Sequence, residues 1–115
     1  MPTLFVVGRI LFAGIFLLAA PRHFTAEAAQ HAADLGVPLA RLAVPLSGLL
    51  AIAGGLSVAF GYRVPWGAIA LIAFLVPVTV MMHAFWRTGD PIQRAHFVKN
   101  VALIGGCLIL ASGRA

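Results

Sequence analysis

The sequence predicts an all-α integral membrane protein, a bundle of four transmembrane helices. Three observations predict it. Four apolar runs, at about 4–20, 39–61, 64–86 and 97–112, fill most of the 115 residues. A helix needs roughly 20 apolar residues to cross a hydrocarbon core. The chain is 62% hydrophobic and 10% charged, with a mean hydropathy of +1.03; a soluble domain is about 25% charged. Almost every charge also falls between the runs rather than inside them. Four spans leave almost nothing for a part outside the membrane, so one transmembrane domain, 1–115, is expected.

The first run ends at Pro21 and carries Arg9 about two turns in. A secretory signal would place basic residues before its apolar core. Here Arg9 interrupts the core, so a retained helix is expected. An arginine within a span is costly unless it reaches headgroups or a partner, and no Asp or Glu lies in any of the four runs. Between runs one and two, Thr25 offers an N-cap, Glu27 stands in the first turn and Gly36 offers a stop. A short interfacial helix is expected there, with Ala28, Ala29, Ala32, Ala33 and Leu35 on one face and Glu27, His31 and Asp34 on the other.

The second helix carries Pro45 near its start, then Ser47, Gly48, Gly54, Gly55, Ser57 and Gly61. Such small residues let membrane helices approach closely. Gly61 to Pro65 reads as a tight turn. The third helix starts beside Trp66, has Pro77 mid-span and closes on Met81 to Trp86, so its tryptophans mark both interfaces. Thr88-Gly89-Asp90-Pro91 is a turn signal. The fourth helix carries His96, Lys99 and Asn100 in its first turns, then Gly105 and Gly106. Ala51-x-x-Gly54-Gly55 recurs as Ala102-x-x-Gly105-Gly106, so the two halves read as related helical hairpins. Gly54, Gly55, Gly105 and Gly106 are the expected helix-packing positions.

The net charge is +5. The basic residues flank apolar runs, with no basic stripe and interleaved aromatics outside them, so lipid rather than nucleic acid is the partner. Loops 1 and 3 share one face with Arg22, Arg41, Arg87, Arg94 and Lys99, against Arg9, Arg63 and Arg114 on the other. The positive-inside bias puts loops 1 and 3 in the cytoplasm. All four histidines and all three carboxylates also lie on that face. A polar ligand is therefore expected at the loop 1/loop 3 end.

There, His83 among Met81, Met82, Phe85 and Trp86 is suited to bonding a carbonyl or moving a proton. His96, Lys99 and Asn100 supply donors at helical spacing. No metal site is expected: Glu27, His31 and Asp34 have ligand chemistry but no zinc-type motif. The single cysteine, Cys107, excludes an internal disulfide and reads as a small packing residue. No phosphate loop, nucleophile elbow or dinucleotide fingerprint is present.

The segments Gly8-Arg9-Ile10-Leu11-Phe12, Gly54-Gly55-Leu56 to Gly61-Tyr62-Arg63, Met82-His83-Ala84-Phe85-Trp86, and Asp90 with Phe97-Val98-Lys99-Asn100-Val101-Ala102-Leu103 resemble the DoxX family of small bacterial membrane proteins. The resemblance implies a four-helix bundle in the bacterial plasma membrane. It also implies a link to thiosulfate:quinone oxidoreductase subunits and to complexes that handle oxidative or thiol stress. Many members carry a Glu just before the second helix's glycines, where this chain has Ala51, with Ser47 the nearest polar group.

Two functions are open on the sequence. One is a redox- or stress-linked accessory component that contacts a quinone and a membrane or peripheral redox protein, with His83, Trp86, Lys99, Asn100 and His96 as its ligand-binding residues and Arg9 as a separate intramembrane charge. The other is a non-catalytic assembly module or small permease working as a homo-oligomer.

Overall fold

The computed structural model describes residues 2–82 and 89–112. Helices α1 (Pro2–Ala19), α2 (Ala26–Asp34), α3 (Ala40–Phe60), α4 (Val64–Met82) and α5 (Pro91–Ala111) follow in order, with a 3₁₀ turn at Ala20–Phe24 between α1 and α2. Among the described residues there is no strand. The segments Pro2–Phe24, Ala40–Phe60, Val64–Met81 and Pro91–Ala111 are long and apolar enough to cross a bilayer. The molecule measures 44 Å along its longest axis, which matches a bilayer with its headgroup layers, about 40–45 Å. The expected all-α membrane bundle is what the chain forms.

The helices pack in chain order, α3 between α1 and α4 and α5 against α4. Lipid tails are as apolar as leucine, so close packing rather than water exclusion must hold such helices together. Glycines supply the close approach. A Cβ on Gly54 would lie 2.8 Å from the Gly67 carbonyl oxygen and from Leu71, both on α4. On Gly55 it would lie 2.9 Å from Leu17 of α1, and on Gly106 2.7 Å from the Phe12 ring, which ties α5 back to α1. On Gly105 it would meet nothing within 4 Å, so that position takes no part in this packing. The core so enclosed holds Ala13, Phe16, Ala51, Val58, Ala68, Leu71, Phe74, Leu75 and Cys107. Outside it, large apolar side chains such as Leu11, Leu18, Leu49, Val80 and Ile109 are exposed, as lipid-facing residues must be.

Local chemistry sets the boundaries. Thr25 caps α2, its Oγ1 accepting from the Ala28 N–H at 3.1 Å, and Gly36 ends the following turn at φ +90°. α5 begins at Pro91, about two turns before the start expected from hydropathy. Asp90 accepts from the Ile92 N–H at 2.9 Å and Pro91 occupies the first helical position. That is a strong start signal set in a polar stretch, which a hydropathy window does not register. Pro45 and Pro77 stay inside α3 and α4. Each removes one rung of the helical ladder, toward the same end of the bundle.

Candidate functional site

At the loop 1/loop 3 end the helices separate. A cavity of about 670 Å³ lies between the 3₁₀ turn, α2, the first turns of α3, the last turns of α4 and the start of α5. Its aliphatic wall includes Ala19, Ala43, Val44, Pro77, Val78 and Met81. Its polar rim includes Arg22, His23, Glu27, His31, Gln93 and His96. α2 does not lie apart from the bundle. Ala32 is fully buried against Ala40 and Val44, with Ala28 and Val37 beside it, so the short helix folds across the cavity and brings Glu27 and His31 to its edge.

His23 is held from two sides. Pro21 ends α1, the chain tightens into the 3₁₀ turn, and the imidazole lands between α3 and α4. Its Nδ1 is 3.0 Å from Ser47 Oγ, and its ring meets the edge of Phe74 at 5.2 Å between centroids. Ser47 Oγ lies 2.6 Å from the Val44 carbonyl, to which it donates. Gly48 makes room for this: a Cβ there would come within 2.8 Å of His23 Cβ and 3.1 Å of the Phe24 ring. A chain of rings, Phe12 to Phe16 to Phe74 to His23, runs from the middle of the bundle to the cavity.

The residues singled out from sequence are distributed as follows. His96 lines the cavity. Asn100, one turn further along α5, is buried, with 4% of its surface exposed, but is not part of the lining. Lys99 is exposed. Successive helical residues turn by about 100°, so Lys99 and Asn100 point apart rather than sharing one pocket. His83 and Trp86 lie outside the described residues. Asp34 is exposed near the end of α2, accepts from Gln30 at 2.8 Å and is not part of the cavity lining. Among the described residues no three His, Cys, Asp or Glu groups come together to hold a metal ion. Sequence reasoning left His23, Ser47 and Arg22 out of the site. The available signal was a histidine two residues after a helix-ending proline, paired with the Ser47-Gly48 step on α3.

Arg9 is at the opposite end. Its guanidinium lies against Gly61, where α3 terminates with φ +73°, and over the Phe5 ring at 5.4 Å. A helix C-terminus carries about half a negative charge on its free carbonyls. Among the described residues that end, rather than a carboxylate, is what the Arg9 guanidinium faces. A glutamate at position 51 would stand about 15 Å back along α3 and would not reach it.

The family model DoxX matches residues 4–84, which cover α1 to α4 and every element around the cavity except α5. Inner membrane protein YqjF of Escherichia coli (strain K12) is 31% identical over 108 residues, spanning 92% of this chain and 80% of that protein. No solved structure matches the chain at a significant level.

Proposed function

Since the chain belongs to the DoxX family, we propose that it is a redox- or stress-linked accessory protein of the bacterial plasma membrane that binds a quinone-class amphiphile in the loop 1/loop 3 cavity. The cavity itself carries this reading. Its volume of about 670 Å³ is in the range of small-molecule sites, roughly 300–1,000 Å³. Its wall is aliphatic and its rim polar, which suits a lipophilic molecule whose oxygenated head rests at the interface.

Arg22, His31 and His96 can donate to oxygens of the head group, while Val78 and Met81 face its apolar part. His83 and Trp86 remain part of the proposal on their sequence position alone. Electrons would come from a membrane or peripheral partner, because the chain carries no sequence signature of a cofactor of its own. The basic balance of loops 1 and 3 favours a cytoplasmic opening. The assembly reading loses support at three of its four packing glycines, because Gly54, Gly55 and Gly106 are used inside the bundle and Gly105 alone of the four is open.

Native mass spectrometry of the protein released gently from membranes tests the proposal. A stoichiometric quinone-sized adduct is expected, and Ala43→Phe, which fills the cavity without altering charge, removes it. Protein that flies bare or with phospholipid alone overturns the reading.

A further inference from the structure

The hydrogen bonds of Ser47 fix which nitrogen of His23 carries a proton. A backbone carbonyl can only accept, so the 2.6 Å contact to Val44 consumes the one proton of the Ser47 hydroxyl. Ser47 Oγ must then accept from His23 across the 3.0 Å contact. His23 Nδ1 is therefore the donor, and in the neutral ring the lone pair is on Nε2. The ring is pinned in place by Phe74 and by the close approach at Gly48, so this assignment is built into the packing.

Two other acceptors on the lining, Thr25 and Glu27, are engaged or in water. Thr25 Oγ1 takes the Ala28 N–H and donates to the Arg22 carbonyl. Glu27 is exposed, and water competes there for whatever it binds. His23 is half-buried, and a hydrogen bond made away from water is stronger. A carbonyl oxygen placed at Nε2 would set lone pair against lone pair. A hydroxyl would complete the bond.

We propose that the cavity selects the hydroxyl-bearing form of its ligand, a lipophilic phenol or hydroquinone, and that His23 Nε2 accepts the hydrogen bond from that hydroxyl. The inference rests on the cavity reading above and concerns binding alone, with no electron transfer.

The test compares 4-nonylphenol with its methyl ether, 4-nonylanisole, by calorimetric titration of the full chain in nanodiscs. The phenol is expected to bind about tenfold tighter, the difference one hydrogen bond makes. His23→Phe keeps a ring in place and removes Nε2; it is expected to abolish the preference while still binding the ether. Should that variant fail to fold, Ser47→Ala serves instead: it removes the hydroxyl that accepts from Nδ1 and loosens the hold on the tautomer, and the preference is expected to fall to about threefold. Equal affinity of the native chain for both compounds overturns the inference and leaves the cavity reading standing. Binding of neither overturns the cavity reading, and the inference with it. A preference undiminished in the variant that folds overturns the assignment to His23 and points to another acceptor on the rim.

Discussion

The two ends of this bundle are built from the same four helices and differ in how their gaps are closed. At the loop 2 end, α3 and α4 meet backbone to backbone at Gly54 and Gly67. The Ser57 hydroxyl donates to the Tyr62 carbonyl and reaches the Arg63 carbonyl at 3.2 Å, tying the turn shut. At the loop 1/loop 3 end the helices part, and the short α2 spans the space with one small apolar cluster. Glycine contact in a membrane leaves no room for a ligand. Ligand space arises where larger groups and prolines replace it. The tight end holds the fold, and the open end is free to carry chemistry.

Breaking the tight end should therefore have the largest effect. Gly54→Leu drives a side chain into the Gly67 carbonyl and Leu71, and a backbone oxygen cannot rotate away. Overpacking typically costs about 1–3 kcal/mol, occasionally more, and this variant belongs at the upper end. Thermal unfolding in detergent should show a lowered midpoint or a loss of folded yield. A native midpoint would mean the α3–α4 contact is looser than the structure has it.

Gly48→Ala makes the same kind of intrusion at the open end, and its effect should be split. The added methyl meets His23 Cβ and the Phe24 ring, side-chain atoms rather than backbone. Stability should stay within about 1 kcal/mol, because helix propensity returns part of the strain. Binding of the cavity ligand should fall about tenfold, the worth of one misplaced hydrogen bond. Titration and unfolding measured on one sample check the split. Equal losses in both would erase the distinction between the ends.

How far each end could be read from sequence follows the same division. The spans, the loop 2 turn and the polar face were legible, because hydropathy, glycine and proline are local signals. The site was legible only as a location. His96 could be placed there from helical spacing, but Lys99 and Asn100 could not be separated without knowing which side of α5 faces α4. His23 was missed because its role depends on Ser47, 24 residues away, and on the room left by Gly48. α2 could be recognised as amphipathic, but whether its alanines met lipid or Val44 was a tertiary question. The apparent lack of a partner for Arg9 came from searching for a carboxylate, when the group it faces among the described residues is the C-terminal end of α3.

Arg9→Met isolates that last point and should have the smallest effect. Methionine keeps much of the side chain's apolar reach beside Phe5 and removes the charge facing the α3 terminus. A cation at a helix C-terminus contributes about 0.3–1 kcal/mol, more when partly buried. Arg9 is partly exposed, with its Nε buried and without a hydrogen-bond partner. The buried nitrogen is a cost that methionine removes, so the two contributions oppose each other. The expected outcome is a destabilisation of about 0.5 kcal/mol with ligand affinity unchanged, since the cavity is at the other end. Unfolding and ligand titration in the same nanodiscs measure both. A large loss of binding would show that charge at the closed end reaches the open one, and the division between them would fail.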